Sequence, residues 1–235
     1  MASKRYTQAA ALRQPEKAYP LHEAVAVLKQ FPPAKFDESV ELSISLDVDR
    51  EKTDQAVRGT VTLPHGTGKT RRVAVFCKGE KELAAKQAGA DYVGAAELIQ
   101  KIQDGWMDFD VAIATPDLMK DVSKLGKVLG PRGLMPSPKA GTVTEDVAKA
   151  VTEVKKGKVE FKMDKLANLH VVIGKRSFEP AQLAENAVAV LEAIHRVKPQ
   201  AVKGRYMRRV SLASTMSPGV TIDVEAMLSK PEHQN

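Results

Sequence analysis

The chain has 235 residues, 43% of them apolar, which is enough to bury one large or two ordinary cores. Thirty-six basic against 29 acidic residues leave a net charge of +7, which favours a polyanionic partner if the excess gathers on one face. The single cysteine, Cys77, excludes an internal disulfide, and no run reaches the roughly 18 apolar residues of a membrane span. The start lacks the apolar stretch of a signal peptide, so a cytoplasmic protein without membrane contact is expected.

In chain order, Leu21, Val25 and Leu28 fall at helical spacing between Pro20 and Phe31, and Pro32-Pro33 ends that helix. From Val40 the period becomes two. Val40, Leu42, Ile44, Leu46 and Val48 share one face, and Glu41, Ser43, Ser45 and Asp47 share the other, as in a half-buried strand. Val57 to Leu63 repeats the alternation, which predicts that the two runs pair antiparallel.

Between Thr70 and Gly157 short apolar runs alternate with helical segments, the texture of a mainly parallel sheet. Strands are expected at Val73–Phe76 and Val111–Ala114. Helices are expected at Glu80–Ala88 and Ala95–Asp104, each closed by a glycine, and at Glu145–Lys156. Another should begin at Thr115-Pro116, with the threonine hydroxyl capping the free amides.

Antiparallel texture returns at Val159, Phe161 and Met163 and again at Leu169–Ile173. A long helix follows from Pro180, with Leu183, Ala187, Leu191 and Ile194 on one stripe, and strands at Arg205–Ser214 and Gly219–Val224 close the chain. The fold class is α/β with two domains. Residues 1–68 and 159–235 form a split α+β domain, and residues 69–158 an inserted Rossmann-like α/β domain joined by two crossings that could act as a hinge.

His65-Gly-Thr-Gly-Lys-Thr70 looks like a phosphate-binding loop. That motif needs glycine at position 63 and a helix after the loop, but Leu63 stands there and Arg71-Arg-Val-Ala-Val-Phe76 reads as a strand. Lys124 to Gly141 is rich in glycine and proline but lacks dinucleotide spacing. It is either a proline-stiffened connection or a phosphate-contacting loop using Lys124, Lys127, Arg132 and Lys139. Five scattered histidines and one cysteine within a buried run assemble no catalytic or metal-binding set, so no enzyme activity and no cofactor are expected. A nucleotide-dependent enzyme built on the inserted domain is the rival reading, and ATP or NAD binding would revive it.

Three clusters on the end-built domain suit RNA. Lys35-Phe36-Asp37-Glu38, running into Glu41, offers a cation for phosphate, a ring for a base or ribose, and carboxylates for amino edges or 2′-hydroxyls. A plain helix-to-strand connection explains the same residues. Lys162, Asp164, Lys165, Asn168, His170 and Lys175 surround a strand connection, which a solvated surface also explains. Lys203-Gly-Arg-Tyr-Met-Arg-Arg209 leads to Ser211, Ser214, Thr215, Met216 and Ser217. Here Arg205, Arg209 and Ser211 share one strand face, and Tyr206, Val210 and Leu212 the other.

Four strings carry a family likeness: Lys35-Phe-Asp-Glu-Ser39, Val57-Arg-Gly-Thr60 with Leu63-Pro-His-Gly-Thr-Gly-Lys69, Gly130-Pro-Arg-Gly-Leu-Met-Pro136, and Ser214-Thr-Met216. With them the chain resembles the bacterial ribosomal protein L-one family of the mobile stalk beside the ribosomal exit site. The resemblance implies a structural constituent of the large subunit, monomeric within the ribosome, whose first domain binds ribosomal RNA. It also implies assistance in releasing deacylated exit-site tRNA and repression of the protein's own mRNA. The RNA-binding residues implied by clusters and resemblance together are Lys35, Phe36, Glu41, Lys162, Asp164, Lys165, His170, Lys175, Ser211, Ser214, Thr215 and Met216. The chain departs from the family pattern at Ser217 and Ala167, where glycine is usual, and at Ser137, where asparagine is.

Overall fold

The computed structural model describes residues 3–49, 55–202 and 204–224. Lys203 of the third basic cluster and the side chain of Lys139 lie outside what is described. Along the chain the helices are α1 (Lys4–Ala11), α2 (Leu21–Gln30), α3 (Glu80–Gln87), α4 (Ala96–Gln103), α5 (Met119–Val122), α6 (Gly126–Leu129), α7 (Val147–Lys155) and α8 (Pro180–Arg196). The strands are β1 (Ser39–Leu46), β2 (Arg58–Thr62), β3 (Val73–Phe76), β4 (Tyr92–Gly94), β5 (Val111–Ala114), β6 (Lys158–Lys162), β7 (Asn168–Lys175), β8 (Met207–Ser214) and β9 (Val220–Ile222). They divide into two compact units, Met1–Gly68 with Val159–Asn235, and Lys69–Lys158.

In the unit built from both chain ends, a four-stranded sheet has the order β7-β1-β8-β9, and its ladders are antiparallel. Period two in β1 sends Val40, Leu42, Ile44 and Leu46 to one face, where Leu28 of α2 and Leu183, Ala187, Leu191 and Ile194 of α8 close a single core. The expected pairing of β1 with the next strand does not form. β1 is a central strand flanked by β7 and β8, whereas β2 pairs with β6 in a separate ribbon. Gly59 makes that ribbon possible, because a methyl group there would lie 2.6 Å from the Phe161 ring.

The inserted unit holds a three-stranded parallel sheet in the order β4-β3-β5. The central strand β3 is fully buried on both faces, and β5 nearly so. Val73, Val75 and Ile113 pack with Val147, Val151 and Val154 of α7, while Phe76, Ala112 and Ala114 pack with Leu98, Ile99 and Ile102 of α4. Gly89 and Gly105 close α3 and α4 at φ of +89° and +100°. Thr115 does not cap the helix after it. Its hydroxyl is buried and donates 3.5 Å to the Phe76 carbonyl, and Pro116 opens a 3-10 turn before α5. α7 begins at Val147, two residues later than expected, where Asp146 caps it by accepting from the Lys149 amide.

Candidate nucleic-acid interface

The face of the four-stranded sheet opposite α2 and α8 is built by register. Ser43 lies between His170 and Ser211, and Ser211 faces Thr221; one step along, Ser45 lies between Asn168 and Arg209; in the other direction Glu41 lies between Val172 and Ala213. These rows bring together side chains more than 120 residues apart in sequence. Ser43, Ser45, Asn168, His170, Arg209 and Ser211 line a shallow depression of about 220 Å³, within which Ser43 Oγ lies 3.2 Å from His170 Nδ1. Arg209 is held across the strands by a 3.2 Å bond to Thr221 Oγ1. The centre of this face is thus a field of hydroxyl, amide and imidazole groups, suited to 2′-hydroxyls and base edges.

At one end of the sheet stand Lys35, Phe36, Lys175, Thr215 and Met216. Phe36 and Met216 are 54% and 52% exposed, apolar groups available for a base or ribose. Lys175 Nζ donates to the Asp37 carbonyl at 3.2 Å and to Ser39 Oγ at 3.1 Å, which pins the Phe36 loop to β7. The Asp37 carboxylate accepts from the amide and the hydroxyl of Ser177. Thr215 clasps the first residue of β1: its Oγ1 accepts from the Ser39 amide at 3.1 Å and its amide donates to the Ser39 carbonyl at 3.0 Å. Its hydroxyl and amide therefore hold the turn, and its methyl is what is left to face a ligand.

Two residues read as RNA-facing are turned inward. Glu38 is 0% exposed; its carboxylate accepts from Arg176 at 2.9 Å and from the Met216 amide at 3.0 Å. Ser214 is 3% exposed and lies opposite Val40, because period two in β8 places it with the buried Val210 and Leu212. It supports the face from behind and does not belong to it. Ser217 does use its hydroxyl, accepting from the Ser214 amide at 3.0 Å and so closing the turn.

The second cluster is split by the fold: Lys175 stands at the Ser39 end and His170 and Asn168 on the central rows, while the turn of Asp164 and Lys165 lies beyond the Leu46 end of β1. An eight-residue strand puts that turn roughly 25 Å from the Ser39 end. Asp164 accepts from the amides of Leu166 and Asn168 at 2.8 and 2.7 Å, and chiefly the Asn168 amide holds its carboxyl below the ordinary range. Lys165 is exposed at the tip of that turn. Lys162 lies on β6, in the two-stranded ribbon, and is also exposed.

The glycine motifs of the chain have structural roles. Gly66 and Gly68 adopt φ of +65° and +70°, and β3, not a helix, follows the loop they shape. Buried Asn186 holds that loop to α8, its Oδ1 accepting from the His65 amide at 3.1 Å and its Nδ2 donating to the carbonyls of Gly66 and Ile173 at 3.0 and 2.7 Å. In the inserted unit, Gly133 at φ +70° turns the chain after α6, and Leu134 and Met135 pack against the core. Lys124 pairs with Asp121 at 2.9 Å, while Lys127 and Arg132 are exposed. Among the described residues no group of three or more His, Cys, Asp or Glu side chains could hold a metal ion, and no helix is long and apolar enough to cross a membrane.

A polar sheet face with exposed Phe36 and Met216 at one end of it sits within the stretch that matches known proteins. The model of the Ribosomal protein L1p/L10e family matches residues 28–218. The Large ribosomal subunit protein uL1 of Kosmotoga olearia is 58% identical over 221 residues, covering 94% of this chain and 96% of the relative. With agreement over nearly the whole length, the chain belongs to the ribosomal protein L1p/L10e family.

Proposed function

We propose that the chain is a structural, non-enzymatic constituent of the large ribosomal subunit that binds ribosomal RNA through the end-built unit. The observation that carries this reading is the open polar face over β7, β1 and β8, with exposed Phe36 and Met216 at its Ser39 end and lysines at both ends. Phosphates would meet Lys35, Lys162, Lys165 and Lys175, 2′-hydroxyls and base edges would meet Glu41, His170 and Ser211, and an unstacked base or ribose would lie against Phe36, Thr215 and Met216. Asp164 shapes the far turn more than it reads RNA. Bound in this way, a single copy in the cytoplasmic ribosome forms part of the mobile stalk. The Rossmann-like inserted unit is its arm, and the assembly assists the release of deacylated exit-site tRNA.

The same face serves a regulatory role if the chain's own mRNA presents a similar RNA structure. One site for two RNAs makes them exclusive, so excess ribosomal RNA relieves repression. Sedimentation through sucrose tests the primary role: the chain should travel with large subunits at moderate salt, and failure to do so contradicts it. Competition tests the second. A large-subunit stalk RNA fragment should displace the mRNA leader one for one, whereas simultaneous binding would separate the two activities.

A further inference from the structure

The turn that presents Met216 is gripped by the buried Glu38 and by two arginines from the N-terminal segment. On one side the Met216 amide donates to Glu38 Oε1 at 3.0 Å. On the other, Arg5 Nη2 donates to the Met216 carbonyl at 2.8 Å, and Arg13 Nη1 donates to the Gly219 carbonyl at 2.6 Å. Arg5 also reaches the Pro32 carbonyl at 3.3 Å and lies 3.7 Å from the Glu38 carboxylate. Arg176 completes the cluster, donating to Glu38 and to the carbonyls of Lys29 and Phe31 at the end of α2. Glu38 is two residues from Phe36, so one buried carboxylate links the two apolar groups of the interface.

A buried ion network is a poor way to gain stability, because desolvation offsets most of the attraction. It is an effective way to fix geometry. Backbone groups held at both the donor and the acceptor side of one residue leave its side chain little freedom to move as a loop would. Arg5 and Arg13 both precede residue 28, where the family match begins.

We infer that the N-terminal segment is a positioning element for RNA recognition: Arg5 and Arg13 hold the Met216 and Gly219 carbonyls while Glu38 holds the Met216 amide, presetting Met216 and Phe36 before RNA arrives. This rests on the RNA-binding reading of the sheet face. The ordering cost of the turn is met on folding, so it does not weaken the complex. The two arginines act through backbone carbonyls and need touch no phosphate.

The distinction is measurable in the full chain carrying Arg5→Ala and Arg13→Ala. Affinity for a large-subunit stalk RNA fragment should fall about tenfold while the slope of log affinity against log salt stays at the wild-type value, since that slope counts phosphate contacts. In the free protein, hydrogen exchange at the Met216 amide should speed up, with the thermal transition still cooperative. With Arg13 left wild-type, Arg5→Lys, which keeps a cationic N–H donor but not the guanidinium fork, should bind more tightly than Arg5→Ala. Unchanged affinity overturns the inference, and so does a slope shallower by about one per arginine, which would make both residues direct phosphate ligands. If the wild-type chain binds no RNA, the functional reading falls; unchanged Met216 exchange in the double variant then overturns the positioning inference on its own.

Discussion

Ala167 sits at φ +61°, the left-handed conformation that costs an L-residue about 1–2 kcal/mol. The turn needs that conformation, since the Ala167 carbonyl accepts from the Leu46 amide at 2.9 Å and closes the end of β1. Ala167→Gly relieves the strain but frees the unfolded chain, at a cost of about 0.4–1 kcal/mol, so a net gain of roughly 0.5–1 kcal/mol is expected. A rise of a few degrees in the thermal midpoint would show it, and a fall would mean that the buried methyl outweighs the strain. Tyr206 makes a different prediction. Its hydroxyl is buried without a partner among the described residues, and burial pushes its pKa from 10.0 to about 12. A phenol harder to ionise when folded contributes stability that is complete below pH 10 and is lost as pH rises through 12. Tyr206→Phe should therefore match or exceed wild-type stability at pH 7 and lose less of it between pH 10 and 12, as followed by denaturant titration. Residue types alone mark Glu38 as an RNA ligand; only the fold reveals it as buried, because its donors come from positions 176 and 216 and a further ion-pair partner from position 5. Ser214 was legible in principle. The parity that sets Arg209 and Ser211 on one face already puts it on the other.

Elements with strong periodicity were readable and their partners were not. The helix stripes of α2, α7 and α8 and both faces of β1 follow directly from spacing. That β1 pairs with β7 and β8 follows from no local signal, since the ladder joins Ser43 to His170 and Ser211 across more than 120 residues. The helix α1 carries only Ala9 as a buried residue and so shows no apolar stripe, and β4 is three half-buried residues long. At this scale the loop over residues 63–68 gives a stability prediction. Asn186→Leu removes three hydrogen bonds and strands the His65 amide and two carbonyls, which should cost roughly 2–4 kcal/mol in a urea titration. A cost below that range would mean that α8 holds the loop by packing alone. The turn after β8 gives a binding prediction. Met216→Asp should weaken RNA binding at least tenfold with an unchanged thermal midpoint, because its side chain is exposed. Thr215→Ala should weaken binding less and lower stability slightly, because its hydroxyl bonds the Ser39 backbone.

The whole chain divides into an end-built unit with one continuous core and an inserted unit with a covered parallel sheet. That division concentrates the uncovered polar sheet in one unit. It leaves the other with both sheet faces already committed to helices. Hydrogen exchange of the full chain, with and without a large-subunit stalk RNA fragment, tests this assignment most directly. The expected result is RNA-dependent protection over residues 35–45, 168–175 and 207–217, with residues 69–158 unchanged. Protection confined to residues 69–158, with the β7-β1-β8 face exchanging as in the free protein, would contradict it.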